Sequence, residues 1–204
     1  LQNKDKKKLL IVGCGRSGTK FVSSLLSQIG LQLGHEKVSV DGLSNWYFTP
    51  ASEIYPPTHT RIKFNDYEYE HIFHQVRHPL KTIASAQTFM NVSWDYTKKF
   101  IPITPNKNKL YNAMEYWLYW NEKAEEISEW RYKIEDFKLI FEEFCVRLNK
   151  RELINDNSYK IIDTINTNIN TRKGRFNPID WRDLENECKL LTEKIKEKSK
   201  KYGY

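Results

Sequence analysis

The sequence predicts an α/β protein with three layers, α/β/α, around a central parallel sheet. Three observations point there. An apolar run at residues 9–12 breaks into a glycine-punctuated loop and then opens a helix; a second apolar run at 72–76 enters another helix at Pro79; and amphipathic helical stretches fill the C-terminal half. Parallel strands need crossover connections, and helices that follow strands supply them. The 204 residues suit one domain with an adequate core.

Leu9, Leu10, Ile11 and Val12 suit a buried strand. Gly13, Gly15 and Gly18 let the chain behind it turn tightly and bring its amides close to a ligand. From Thr19 the apolar positions Phe21, Val22, Leu25, Leu26 and Ile29 recur at helical spacing. The loop therefore ends on a helix N-terminus, where unsatisfied N–H groups and the macrodipole favour an anion, and Arg16 and Lys20 add positive charge.

Residues 61–64 and 72–76 read as further strands, with a loop carrying Trp46, Tyr47, Phe48 and Tyr55 at 38–57 facing substrate. Helices are expected at 109–129, 137–148 and 180–200, the last with Asp180 as N-cap. The aromatic stripe Tyr116, Trp117, Tyr119, Trp120 reads as helix core. His71, His74 and His78 read as strand packing, because no carboxylate or cysteine accompanies them at metal-ligand spacing. Residues 166–177 are asparagine-rich and fit a loop that orders on ligand, and the basic residues before Leu9 read as a frayed tail over 1–8.

Composition narrows little. Lysine and arginine number 33 against 26 aspartates and glutamates, a net charge of +7, which suits a polyanionic ligand, nucleic acid or an anionic glycan equally. Mean hydropathy is −0.71, partly offset by 14% aromatic residues that bury large areas. The cysteines Cys14, Cys145 and Cys188 are odd in number and widely spaced, so reduced thiols in a reducing compartment are expected. No apolar run reaches the roughly 18–20 residues of a membrane span, and no signal peptide is visible. A cytoplasmic location is expected, with a leader ahead of Leu1 left open.

Two common phosphate loops do not fit. The nucleoside-triphosphatase loop needs Gly-Lys followed by Ser or Thr, and here Gly18 is followed by Thr19 and then Lys20. The dinucleotide fingerprint needs an acidic residue closing a second strand, a condition that Glu36 meets only loosely.

Arg16-Ser17-Gly18-Thr19 behind a strand resembles instead the 5′-phosphosulfate loop of sulfotransferases that use 3′-phosphoadenosine 5′-phosphosulfate (PAPS). In that family a later strand ends in an arginine followed eight positions on by a serine, both on the donor's 3′-phosphate. Arg77, in Val76-Arg77-His78-Pro79, and Ser85 have that spacing. The segment 132–137 resembles the family's short strand ending in an acidic pair. Arg172-Lys173-Gly174 resembles the late element that closes on the 3′-phosphate, with Arg175 a competing ligand there.

The resemblance implies a P-loop-like sulfotransferase fold. It further implies a donor held by Gly15, Arg16, Ser17, Gly18, Thr19, Lys20, Arg77, Ser85, Arg172, Lys173 and Gly174, with 3′-phosphoadenosine 5′-phosphate (PAP) as product and no metal. In the tyrosylprotein and carbohydrate branches a glutamate shortly after the first helix is the general base, which points to Glu36. The neighbouring His35 is the alternative, in the manner of the cytosolic branch. Arg16 would stabilise charge on the bridging oxygen. The acceptor, whether sugar, lipid, small metabolite or peptide, stays open, and nucleic acid is not expected. The rival readings are a P-loop nucleotide kinase and a non-catalytic module binding nucleic acid or anionic glycan through the same basic groove.

Overall fold

The computed structural model describes residues 4–58, 61–165 and 176–204. Strand β1 (Asp5–Gly13) leads through α1 (Thr19–Gln28) to β2 (Leu33–His35) and β3 (Gly42–Ser44), then a 3-10 turn at Trp46–Phe48. Strand β4 (Tyr67–Val76) is followed by α2 (Pro79–Ala86), α3 (Asn91–Thr97) and α4 (Lys109–Ile127). Strand β5 (Trp130–Lys133) precedes α5 (Phe137–Arg147), α6 (Asp156–Thr164) and α7 (Trp181–Lys201). The five strands form one parallel sheet in the order β2-β3-β1-β4-β5. Helices cover both faces, so the architecture is the three-layer α/β/α expected.

The alternation of β1 builds both cores. Leu9 and Ile11 pack with Phe73 against Val22, Leu25 and Leu26 of α1 and Phe141 and Phe144 of α5. Leu10 and Val12 face the other way, toward Leu43, Phe48 and Ala124 of α4. All four β1 residues are fully buried, each worth about 1.5–3 kcal/mol against exposure. A third cluster joins α2, α4 and α7 around Tyr116, Trp117 and Trp120, so that stripe is helix core. Helix α7 begins where Asp180 caps it: its carboxylate accepts from Asp183 N at 3.0 Å, and Asp183 returns a bond to Asp180 N at 2.8 Å.

The chain leaves β1 toward the α1 face and leaves β4 toward the α2/α4 face. The two connections diverge at neighbouring strands, which opens a crevice at their C-terminal ends, the usual ligand position in such sheets.

Three expectations are corrected, and a fourth is not tested. The basic segment is not a frayed tail from Asp5 onward: Asp5, Lys6 and Lys7 pair with Tyr67, Glu68 and Tyr69, and Lys8 Nζ lies 2.6 Å from Glu70. Glu68 and Glu70 on β4 neutralise Lys6 and Lys8 across the strand pair, and Asp5 pairs with Lys7 along β1. Residues 61–64 form no strand; a 3-10 turn at Phe64–Asp66 leads into β4, which starts at Tyr67. The segment at 38–57 is not all loop: it contributes β3 and buries Trp46, Tyr47 and Phe48, of which Trp46 and Tyr47 still line a cleft. Gly42 makes this possible, since a Cβ there would stand 1.9 Å from the Leu9 carbonyl oxygen. Arg172, Lys173, Gly174 and Arg175 lie outside the described residues.

His74 is a buried strand residue hydrogen-bonded to Asn121, and His71 pairs with Glu129 at 2.7 Å. The three cysteines are free thiols. No helix among the described residues is long and apolar enough to cross a membrane.

Candidate active site

The loop between β1 and α1 is held from three sides. Gly15 N–H donates to the Tyr116 hydroxyl at 2.6 Å, from α4. Arg77 Nη1, at the end of β4, donates to the Arg16 carbonyl at 2.9 Å. Gln75 Nε2, fully buried on β4, donates to the Ser17 carbonyl at 2.7 Å, while its Oε1 accepts from Tyr132 Oη of β5 at 2.8 Å. Inside the loop Ser17 N–H closes a turn onto the Cys14 carbonyl at 3.1 Å.

Glycine is required where this packing is tightest. A Cβ on Gly15 would stand 2.9 Å from Phe89 Cζ and 3.0 Å from Trp46 Cδ2. Gly18 has φ +95°, a left-handed conformation open to glycine at no steric cost. Arg16 adopts φ +77° without that freedom, which costs about 1–2 kcal/mol. Strain of this kind concentrates at functional sites.

Gly18 is the N-cap of α1 and offers no side chain to cap it, and no acidic residue occupies the first turn. The amides of Gly18, Thr19, Lys20 and Phe21 have no intrahelical acceptor by geometry. Ser17 is 1% exposed, and its Oγ has no hydrogen-bond partner among the described residues. An unpartnered buried hydroxyl beside an uncapped helix N-terminus is the local chemistry of an anion site.

A cleft of about 800 Å³ opens over this loop, within the size range of ligand sites. It gathers Gly15, Arg16, Ser17, Gly18, Thr19 and Lys20 with Arg77 and Ser85 from the β4 side and His35 and Glu36 from the end of β2. Every candidate site residue within the described residues therefore reaches one cleft. Four cations line it (Arg16, Lys20, Arg77, Lys81) against two carboxylates (Glu36, Glu135), so the field favours an anion.

The two sides of the cleft differ. Over β4 and β5 stand Arg77, Lys81, Ser85 and Glu135; over β2 and β3 stand His35, Glu36, Trp46 and Tyr47, joined by Phe89, Met90 and Ser93 from the segment after α2. Trp46 stacks on Tyr47 at 3.8 Å and on Phe89 at 5.2 Å, and the Arg16 guanidinium lies 4.9 Å above the Phe89 ring. Tyr47 Oη and Ser93 Oγ are 3.3 Å apart. Burial raises the Tyr47 phenol, so it stays protonated.

His35 Nε2 lies 3.3 Å from Thr19 Oγ1. Burial pushes its imidazole below the ordinary value, with Glu36 opposing and Lys20 assisting. It is therefore neutral at neutral pH and able to accept a proton. Glu36 stands at φ +55°, its amide donating to the Ser44 carbonyl at 3.2 Å. On the other side burial lowers the Arg77 guanidinium and Glu135 opposes that shift. Glu135 is held by His78 N–H at 3.1 Å and Tyr204 Oη at 2.8 Å.

The chain matches no family model, no curated protein and no solved structure.

Several site residues escape the sequence reading. Lys81 had a signal, because it precedes Ser85 by one helical turn and shares its face. Gln75, Tyr116 and Tyr132 had none, since each acts on the loop from more than 50 residues away.

Proposed function

We propose that this chain is a sulfotransferase that moves a sulfuryl group from PAPS to a hydroxyl or amine acceptor. One observation carries the reading: the uncapped α1 N-terminus, with the unpartnered Ser17 hydroxyl, opens into the same cleft as the Arg77–Ser85 pair and the Glu36 carboxylate. A ligand with anionic groups at two separated points, and a reacting centre near a carboxylate, meets all three.

When bound, the donor supplies a sulfuryl group activated on its 5′-phosphate. The α1 amides, Ser17 Oγ and Lys20 hold that end. Arg16, backed by the Phe89 ring, places positive charge where the leaving oxygen gains negative charge. Arg77 and Ser85, with Lys81 beside them, hold the 3′-phosphate, a fixed guanidinium fork suiting a phosphate better than a point charge. The acceptor lies on the β2/β3 side, where Glu36 takes its proton and His35 is the neighbouring neutral base. Tyr47 and Ser93 offer hydroxyls to orient it.

The competing nucleotide-kinase reading differs in its ligand. A thermal-shift comparison of PAP with ATP and magnesium separates the two: stabilisation by PAP supports the sulfotransferase, and stabilisation by ATP–magnesium alone overturns it. Release of PAP from PAPS in the presence of an acceptor panel then tests transfer itself.

A further inference from the structure

Gln75 is fully buried, carries no charge and touches no solvent, yet its side chain ends on the donor loop. Both ends of its amide are fixed. Tyr132 Oη donates to Oε1 at 2.8 Å, which leaves Nε2 as the end that meets the Ser17 carbonyl at 2.7 Å. A flipped amide would bring two acceptors together at Ser17, so the Ser17 carbonyl, which can only accept, sets which atom faces the loop, and the Tyr132 hydroxyl holds the other end by donating to Oε1.

The bond to Ser17 has a consequence on the far side of the peptide plane. In a trans peptide the carbonyl of one residue and the N–H of the next point in opposite directions. Holding the Ser17 carbonyl down toward β4 turns the Gly18 N–H the other way, toward the cleft that Gly18 lines. Gly18 is the left-handed N-cap of α1, a residue whose peptide orientation nothing in its own side chain can set.

We infer that Gln75 is a positioning residue: the Tyr132–Gln75–Ser17 relay aims the Gly18 amide at the bound anion. The inference rests on the anion-site reading of the loop and holds for any oxyanion seated there, including the 5′ end of the proposed donor.

The substitution Gln75→Glu tests it, because the new side chain is isosteric and changes function with protonation. A protonated carboxyl donates its O–H to the Ser17 carbonyl and accepts from Tyr132, reproducing the relay. An ionised carboxylate faces the Ser17 carbonyl with a second acceptor, releases the peptide and places negative charge beneath the anion. Burial raises the new carboxyl above its ordinary range. Arg77 just beyond β4, Arg16 of the loop, Lys20 of α1, His35 of β2, Glu135 and Tyr132 also surround the site, and all are shared with the parent chain. The ratio of variant to parent affinity therefore isolates the new carboxyl.

The measurement is binding of PAP and, separately, of inorganic sulfate, followed by the Gly18 amide resonance between roughly pH 5 and pH 9. The expected ratio is near one at the acid end and falls tenfold or more, about 1.4 kcal/mol, as the carboxyl ionises. Tyr132→Phe, which removes one hydroxyl and keeps the ring, is expected to weaken both anions about threefold or more with no new pH dependence. A ratio that stays near one while the new carboxyl ionises, read from its own carbon resonance, overturns the relay, and if the carboxyl stays protonated throughout, Tyr132→Phe decides. If that variant does not fold, unchanged anion affinity in Tyr132→Phe does so instead. Sulfate binding at Gly18 without PAP binding rejects the nucleotide donor and keeps the relay; a Gly18 amide that ignores both anions rejects the relay.

Discussion

Nη1 of Arg77 donates to the carbonyl oxygen of Arg16 across 2.9 Å, joining the tip of β4 to the tip of β1. The residue that would bind one end of a donor thus also holds the loop that would bind the other end. A lysine in that place carries the charge but lacks the planar fork that can serve a carbonyl and a phosphate together. Arg77→Lys is expected to weaken PAP about tenfold or more by calorimetric titration. Parent-like affinity would show that charge alone matters there.

Gly15 sits against an aromatic wall with no room for a methyl group. Gly15→Ala must push Phe89 or Trp46 aside, and overpacking of this kind costs about 1–3 kcal/mol. Urea denaturation should show that loss, together with reduced anion affinity. A fully stable variant with parent affinity would mean that the Trp46–Phe89 wall yields freely.

His74 should make the protein sensitive to acid. Its Nε2 donates to Asn121 Oδ1 at 3.0 Å, an orientation fixed because Asn121 Nδ2 donates to the Trp117 carbonyl at 2.7 Å. Burial, opposed by that hydrogen bond, brings its pKa down to about 4 from an ordinary value of 6.5. The folded state therefore resists a proton that the unfolded chain accepts. The stabilisation is complete above pH 6.5 and is lost as pH falls from there to about 4, for a total of about 3 kcal/mol. His35 and His78, also lowered by burial, act with the same sign. Denaturant titrations at neutral pH and near pH 4.5 should show a smaller acid loss in His74→Gln than in the parent. Equal losses would remove His74 from the acid response.

On the proposed function the proton acceptor is separable from the donor site. Glu36→Gln is expected to keep PAP affinity within about twofold and to reduce sulfuryl transfer by 100-fold or more. Transfer at the parent rate would move the base to His35, whose Thr19 contact and lowered pKa already suit it.

Local chemistry made part of this legible in the sequence. The β1 strand, its glycine loop and α1 are contiguous, and the Asp180 cap lies beside the helix it starts. Three-residue strands such as β2 and β3 are too short to display a period, so the segment around Gly42 read as loop. Lys6 and Lys8 read as part of a solvated run because their partners, Glu68 and Glu70, lie some sixty positions away. Arg77 and Ser85 were picked out by the resemblance, and the end of β4 and helix α2 bring both to the cleft. Gln75 was invisible, because its meaning comes from Ser17 and Tyr132, which only the folded sheet brings beside it.

The central claim is that one ligand spans the α1 N-terminus and the Arg77–Ser85 pair, and paired titrations of PAP and AMP test it most directly. The two nucleotides share the 5′-phosphate and differ in the 3′-phosphate alone. PAP is expected to bind about tenfold or more tightly than AMP, with the gap closing in an Arg77→Ala, Ser85→Ala double variant. Equal affinity of the parent chain for PAP and AMP would contradict the account.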